Sequence, residues 1–296
     1  QSDAALAVQN WLRDPMGSPF FYLAGFAATG KTTLAKTLSE NVRRVRFAAF
    51  TGKAALVLSS KGCTPSSTIH SLIYKVVRGS DGRKKFVLNM DSDILNCDLL
   101  IVDEISMVNE KIGRDLLQFG VRILVLGDPA QLPPVKGTGV FTQGRPDFML
   151  TEIHRQAAEN PIIRMSMDVR EGRDLPVGEY GSSRVIRRNQ MTANMALQAD
   201  ILITGMNSTR RTWNRRMRDL KGLKGRFCIG EKVISRRNNA ENGLLNGALW
   251  TVSEVEDGEV NESHLKLSAV DEFMTDFDPV IKTHHDFLDK DEKKIP

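Results

Sequence analysis

The chain has 296 residues, 41% of them hydrophobic and 26% charged, which is material for about two globular domains and far more than a stapled miniprotein needs. Three cysteines (Cys63, Cys97, Cys228) are too few and too widely spaced for a disulfide framework or a four-cysteine zinc site, and no apolar run approaches the roughly 20 residues that cross a bilayer. The expectation is a soluble protein of a reducing compartment, the cytoplasm, with no membrane partner. The net charge of +5 conceals a division: residues 251–296 carry 13 acidic and 5 basic side chains, a net of −8, and residues 1–250 carry 36 basic and 23 acidic, a net of +13. A basic body attracts polyphosphate backbones through counterion release, which makes nucleic acid the leading macromolecular partner, beside the alternative of an ordinary basic surface.

Residues 20–25 (FFYLAG) are an apolar run that breaks at glycine, and 31–41 place apolar or small side chains at helical spacing, so a strand, a turn and a helix are predicted. A strand at 45–50 precedes a helix at about 53–60. Residues 76–88 set two β-prone arms around a Gly, Ser, Asp, Gly cluster, which predicts a hairpin inserted into the first domain within about 72–97. Residues 98–103 (DLLIVD) and 121–127 (VRILVLG) read as buried strands separated by a helix near 108–119, and a strand near 148–153 completes the set. Strands alternating with helices imply a parallel sheet covered on both faces. After a helix at about 158–171, a second α/β pattern starts with a strand at 200–204 (DILIT), a basic helix at about 208–220 and β-prone pieces at 231–236 and 248–255. The expected domains are 1–153 and 154–296, the second with a β-rich insertion from about 253 and a loose charged terminus.

Two motifs carry chemistry. GFAATGKT at 25–32 satisfies G-x4-G-K-[ST] between a predicted strand and helix, the context in which this pattern forms a phosphate-binding loop. Its candidate nucleotide-binding residues are Gly25, Ala28, Thr29, Gly30, Lys31, Thr32 and Thr33. Backbone amides and the helix N-terminus surround the polyphosphate, Lys31 reaches the β and γ phosphates, and the Thr32 hydroxyl ligates Mg²⁺. Asp103 and Glu104 close the strand LLIVD, where a phosphate-loop enzyme needs carboxylates: Asp103 to hold Mg²⁺, Glu104 to orient or deprotonate the attacking water. ATP and Mg²⁺ are the expected cofactors.

GFAATGKTT, AAFTGKAA, STIHSL, VDEIS, GDPAQLPPV and LTEIHRQA, in that order, resemble superfamily 1 DNA helicases of the RecD-like, Dda-like branch, and ITGMNSTRRTWN and RRNNAENGLLNGALW extend the resemblance into the second domain. It implies an α/β architecture of two RecA-like parallel-sheet domains with small β insertions, and 5′ to 3′ movement on single-stranded DNA driven by Mg-ATP hydrolysis in the cleft between them. On particular residues it implies Gln131 as γ-phosphate sensor, Arg155 as an arginine finger and Gln1 as the adenine-reading glutamine. Thr51, Lys53, Thr68 and His70 are implied contacts to single-stranded DNA. Asn207, Arg210 and Arg211 open a basic helix that either holds DNA phosphates or is a solvated face. The hairpin matches the pin with which this branch splits a fork, with Phe86 or Arg83 near the wedge, and Phe86 either stacks on the last base pair or packs the hairpin onto its domain.

The sequence departs from the family in two places. A further DNA-contacting motif and a second arginine finger on a threonine-arginine segment are not found, and the chain stops where the return from the second insertion is expected. The second domain is therefore expected to be incomplete and this chain to bind nucleotide better than it turns it over. Three rival functions remain: the motor subunit of an ATP-dependent exonuclease complex with nuclease partners, a nucleotide-gated DNA-binding module without turnover, and a small-molecule kinase using the same loop.

Overall fold

The computed structural model describes residues 1–26, 29–78, 84–134, 137–152, 159–236, 243–257, 262–271, 274 and 279–284. The chain divides into two compact units, Gln1–Arg173 and Asp174–Pro296. The first therefore continues past the boundary expected between 153 and 154, because the helix at Pro161–Arg170 is tied to the first unit by an ion pair between Arg170 and Asp128.

In chain order the first unit runs α1 (Ser2–Arg13), β1 (Phe20–Gly25), α2 (Lys31–Ser39), β2 (Val45–Ala49), α3 (Gly52–Ser60), β3 (Ser66–Thr68), α4 (Ile69–Ile73), β4 (Tyr74–Arg78), β5 (Lys84–Leu88), β6 (Leu99–Asp103), α5 (Glu110–Leu117), β7 (Ile123–Gly127), β8 (Phe148–Leu150) and α6 (Pro161–Arg170). Six strands form one parallel sheet in the order β3-β2-β6-β7-β1-β8. Their period-two alternation builds two cores. Phe21, Leu23, Leu99, Ile101, Leu124 and Leu126 face one side with the buried residues of α1, α2 and α3. Tyr22, Ala24, Leu100, Val102, Ile123 and Val125 face the other with α4 and α5. Burial on both faces is why β6 and β7 read as unbroken apolar runs rather than alternating ones.

Two features of this unit position the site. The pairings Ala24↔Gly127 and Val102↔Val125 bring the C-terminal ends of β1, β7 and β6 side by side, the edge where ligands of parallel α/β sheets bind. The other is α1, which the sequence reading did not assign. Ala4, Val8 and Trp11 are its buried stripe at helical spacing. Trp11 Nε1 donates to the Ser18 carbonyl at 2.8 Å, and Arg122, with its guanidinium 5.4 Å from the Trp11 ring, donates to the Ser18 and Asp14 carbonyls. These contacts pin the C-terminal end of α1 beneath β1.

β4 and β5 pair antiparallel, as the expected hairpin requires, with Val76 opposite Phe86; its turn cluster and Arg83, at 79–83, lie outside the described residues. Val76, Val77, Phe86 and Val87 are all exposed on it. Its root is held by Tyr74, whose hydroxyl donates to Asp115 of α5; Lys111 donates to the same carboxylate at 2.6 Å.

The second unit contains β9 (Gly178–Tyr180) paired with β10 (Ser183–Val185), α7 (Ala193–Gln198), α8 (Asn207–Leu220), and an antiparallel sheet of β11 (Lys232–Ile234), β12 (Leu249–Asp257), β13 (Glu262–Ala269) and β14 (Val280–His284) in that order. Trp250, Val252, Leu265, Leu267 and Met274 are its buried core, and Trp250 Nε1 donates to Ser235 Oγ at 3.1 Å. The strand expected at 200–204 is not formed: residues 201–204 pair in no ladder among the described residues, and Ile203 is 94% exposed. A parallel strand is stabilised only between neighbours, and the described part of this unit supplies none. The second α/β domain is thus partly present, represented mainly by its β-rich portion, which starts at Lys232.

Candidate functional site

β1 delivers the chain to Gly25, where an added Cβ would stand 2.7 Å from Thr29 Oγ1 and 2.9 Å from Leu150 Cβ, so only glycine allows the turn to close against β8. Gly30, with φ of 82°, is the left-handed N-cap of α2 and aims the first amides of the helix into the loop. Thr29 is buried and its hydroxyl donates to the Phe26 carbonyl at 2.8 Å. Lys31 Nζ donates to the carbonyls of Gly25 at 2.8 Å and Phe26 at 2.9 Å, curling over the loop it follows. Burial pushes the Lys31 ammonium below its ordinary range; the carboxylates of Asp128, Asp103 and Glu104 oppose that shift, and Arg170 adds to it.

Thr32 Oγ1 donates to Asp103 Oδ2 at 3.0 Å, joining the first turn of α2 to the tip of β6 across two sheet positions. Asp103 Oδ1 accepts the Glu104 amide at 2.9 Å. Glu104 is exposed and has φ of 56° and ψ of 47°, the left-handed conformation at a non-glycine residue, which costs about 1–3 kcal/mol. A hydroxyl and a carboxylate in contact form an oxygen-only donor pair, suited to a hard cation that keeps several waters. Among the described residues no cluster of three or more His, Cys, Asp or Glu is placed to hold a metal.

The segment after β7 closes the site. Asp128 is 3% exposed; its Oδ1 accepts the Ala130 amide at 3.0 Å and its carbonyl accepts the Gln131 amide at 3.1 Å, a turn that presents Gln131. Gln131 Oε1 accepts the Ser106 hydroxyl at 2.7 Å, in the turn just after Glu104. Arg170 pairs with the other Asp128 oxygen and lies 4.7 Å over the Phe26 ring. Lys31, Thr32, Asp103, Glu104 and Gln131 are thereby brought together, and Gln1 Nε2 reaches the Thr29 carbonyl at 3.2 Å from the N-terminal end of α1. Thr33 is exposed on α2 beside Thr32. Ala28 and Arg155 lie outside the described residues. Sequence reasoning missed Ser106, Asp128 and Arg170. Asp128 stood inside the GDPAQLPPV segment; Arg170 carried no signal beyond being a helix-terminal arginine.

The implied DNA contacts of the first unit share the same sheet edge. Thr51, at the end of β2, caps α3 by accepting the Ala54 amide at 3.2 Å; Thr68, at the end of β3, caps α4 by accepting the Ser71 amide at 3.1 Å. Lys53 sits in the first turn of α3. The His70 ring stands 5.8 Å from Phe50 and 5.6 Å from Tyr74, which is 6.3 Å from Phe86, so four rings run from the sheet edge to the hairpin. Burial, with Lys111 adding to it, holds His70 below the ordinary imidazole range. Phe86 is 66% exposed. In the second unit Asn207, Arg210 and Arg211 lie in the first turns of α8, a helix with no buried residue. A groove of about 560 Å³ lined by Arg43, Arg44, Arg46 and Cys97 opens at the opposite end of β2, where Arg44 and Arg46 already pair with Asp98 and Asp93.

Comparison with known proteins matches residues 7–190 to a family described as AAA domain. The ATP-dependent RecD2 DNA helicase of Deinococcus radiodurans is 34% identical over 166 residues, covering 53% of this chain and 22% of the relative. The ATP-dependent DNA helicase dda of Enterobacteria phage T4 is 32% identical over 165 residues, covering 50% of this chain and 37% of the relative. The chain thus spans well under half the length of these relatives. The crystal structure of the Pif1 helicase from Bacteroides in complex with ADP-AlF3 and single-stranded DNA superposes with a TM-score of 0.53 at 22% identity, over 95% of this chain and 73% of that one, a likeness of fold.

Proposed function

The chain belongs to the AAA-domain family, and we propose that it is a superfamily 1 DNA helicase or translocase of the RecD-like, Dda-like branch, coupling ATP hydrolysis to 5′ to 3′ movement on single-stranded DNA. The observation that carries this reading is the hydrogen bond between Thr32 and Asp103, which joins the phosphate loop to the acidic strand tip with Glu104 beside it. The similar proteins support it: two are named ATP-dependent DNA helicases, and the Bacteroides protein is bound to ADP-AlF3 and single-stranded DNA.

In this reading the loop amides and the N-terminus of α2 hold the polyphosphate, and Lys31 exchanges the Gly25 and Phe26 carbonyls for β- and γ-phosphate oxygens. Thr32 and Asp103 are the residues that would hold Mg²⁺, which would supply neutralisation of phosphate charge. Glu104 orients and deprotonates the attacking water, and Gln131 senses the γ-phosphate and relays its loss through Ser106. Gln1 reads the adenine, and Arg155 acts as arginine finger, a role contributing about 10³–10⁵ in rate in comparable enzymes. Thr51, Lys53, Thr68 and His70 of the first unit and Asn207, Arg210 and Arg211 of the second each contact single-stranded DNA, and Phe86 works at the fork.

The test is the ATPase rate with and without single-stranded DNA. Stimulation by DNA is expected in the chain, with Lys31→Ala reducing the stimulated rate by about 10²–10³-fold. An unchanged rate in the variant contradicts the loop assignment. Forked duplexes with only a 5′ tail are expected to be opened and those with only a 3′ tail left intact; the opposite pattern overturns the polarity.

A further inference from the structure

We infer that Arg170 is a positioning residue of the nucleotide site, its guanidinium clamped between the Asp128 carboxylate and the Phe26 ring so that the turn carrying Gln131 is fixed against the start of the phosphate loop. The inference rests on the nucleotide-binding reading given above and adds a residue that lies more than a hundred positions beyond the loop in sequence.

Arg170 occupies the last turn of α6, where a cation is favoured by the helix carbonyls. Its side chain is 15% exposed and its Asp128 partner 3%. Nη1 lies 3.7 Å from the Met167 sulfur, and Nε is buried without a hydrogen-bond partner among the described residues. The group is therefore oriented by one carboxylate and one aromatic face, a planar arrangement that a lysine ammonium does not reproduce. A chain of contacts then encircles the site: Phe26 to Arg170, Arg170 to Asp128, Asp128 through its turn to Gln131, Gln131 to Ser106, and from the neighbouring Asp103 to Thr32. Among these links Arg170 alone comes from beyond β8, the last strand of the sheet.

Removing the guanidinium leaves a buried carboxylate without its cation, which is strongly unfavourable. Lys31 already interacts electrostatically with Asp128. With Arg170 gone, the Asp128 charge draws Lys31 away from phosphate, and Phe26 loses the contact that sets its ring.

The experiment measures the Kd of a nonhydrolysable ATP analogue with Mg²⁺, the KM for ATP and kcat, in the wild type, Arg170→Ala, Arg170→Lys and Arg170→Ala with Asp128→Asn. Affinity for single-stranded DNA without nucleotide serves as the control for general damage. Arg170→Ala is expected to raise Kd and KM by about tenfold or more with DNA affinity retained. Arg170→Lys recovers part of the loss, because charge returns without the planar contact. The double variant recovers most of the nucleotide affinity, because no carboxylate is left to capture Lys31. Unchanged Kd and KM in Arg170→Ala, or a double variant no better than the single one, overturns the positioning role. If the wild type itself does not bind the analogue, the phosphate-loop reading fails first and this inference with it, a result distinct from a wild type that binds and a variant that binds equally well.

Discussion

The hydroxyls of Thr51 and Thr68 cap α3 and α4. A capping hydroxyl is worth about 1 kcal/mol, so Thr51→Ala and Thr68→Ala are each expected to lower unfolding free energy by about that amount in urea titrations. If they also contact DNA, single-strand affinity of the folded protein falls as well; a loss of stability with unaltered affinity would assign them to the fold alone. At this scale the chemistry with a fixed local spacing was readable. Lys31 and Thr32 follow directly from the loop pattern, and Asp103 from its place at the end of an apolar strand. Asp128 and Arg170 were not readable, because their pairing joins positions far apart in the chain and neither residue type is unusual where it stands. Glu104 was readable as an acid, but not as a left-handed residue, since nothing in its neighbours demands that conformation.

Among the elements, the β4–β5 pair leaves Val76, Val77, Phe86 and Val87 exposed. Phe86 is mostly exposed and meets Tyr74 only at ring-contact distance, so Phe86→Ala is expected to change stability by no more than about 0.5 kcal/mol. On the reading proposed above it lowers the rate of fork opening while leaving the DNA-stimulated ATPase intact. A large loss of stability with unchanged unwinding would make Phe86 a packing residue instead. The central strands were legible because burial on both faces leaves continuous apolar runs bounded by acids or glycine. The helix α1 was not assigned, although its stripe of Ala4, Val8 and Trp11 has helical spacing, because small and polar residues dilute that stripe. The segment 201–204 shows the opposite error. DILIT has strand composition, but composition supplies no neighbour, and a parallel strand is stable only where another strand already lies beside it.

For the molecule as a whole, the first unit places Gly25, Lys31 and Thr32, the acidic tip of β6, Gln131 and the capped loops of β2 and β3 on one edge of one sheet. That grouping follows from parallel topology: every strand of the sheet ends on the same side, so residues scattered from Gly25 to Gln131 converge without any being adjacent in sequence. The sheet order was not legible, since alternation predicts parallel strands but not which lies next to which. The second unit contributes a basic helix and an antiparallel sheet, and its role in movement along DNA rests on the proposal above.

The most direct test is a crystal structure of the chain grown with Mg²⁺ and a nonhydrolysable ATP analogue. The triphosphate is expected against the backbone amides ahead of Lys31, with Lys31 turned from the Gly25 and Phe26 carbonyls to the phosphates and the metal ion held by Thr32 and Asp103. A saturating analogue bound elsewhere, with Lys31 still bonded to those two carbonyls, would contradict this expectation.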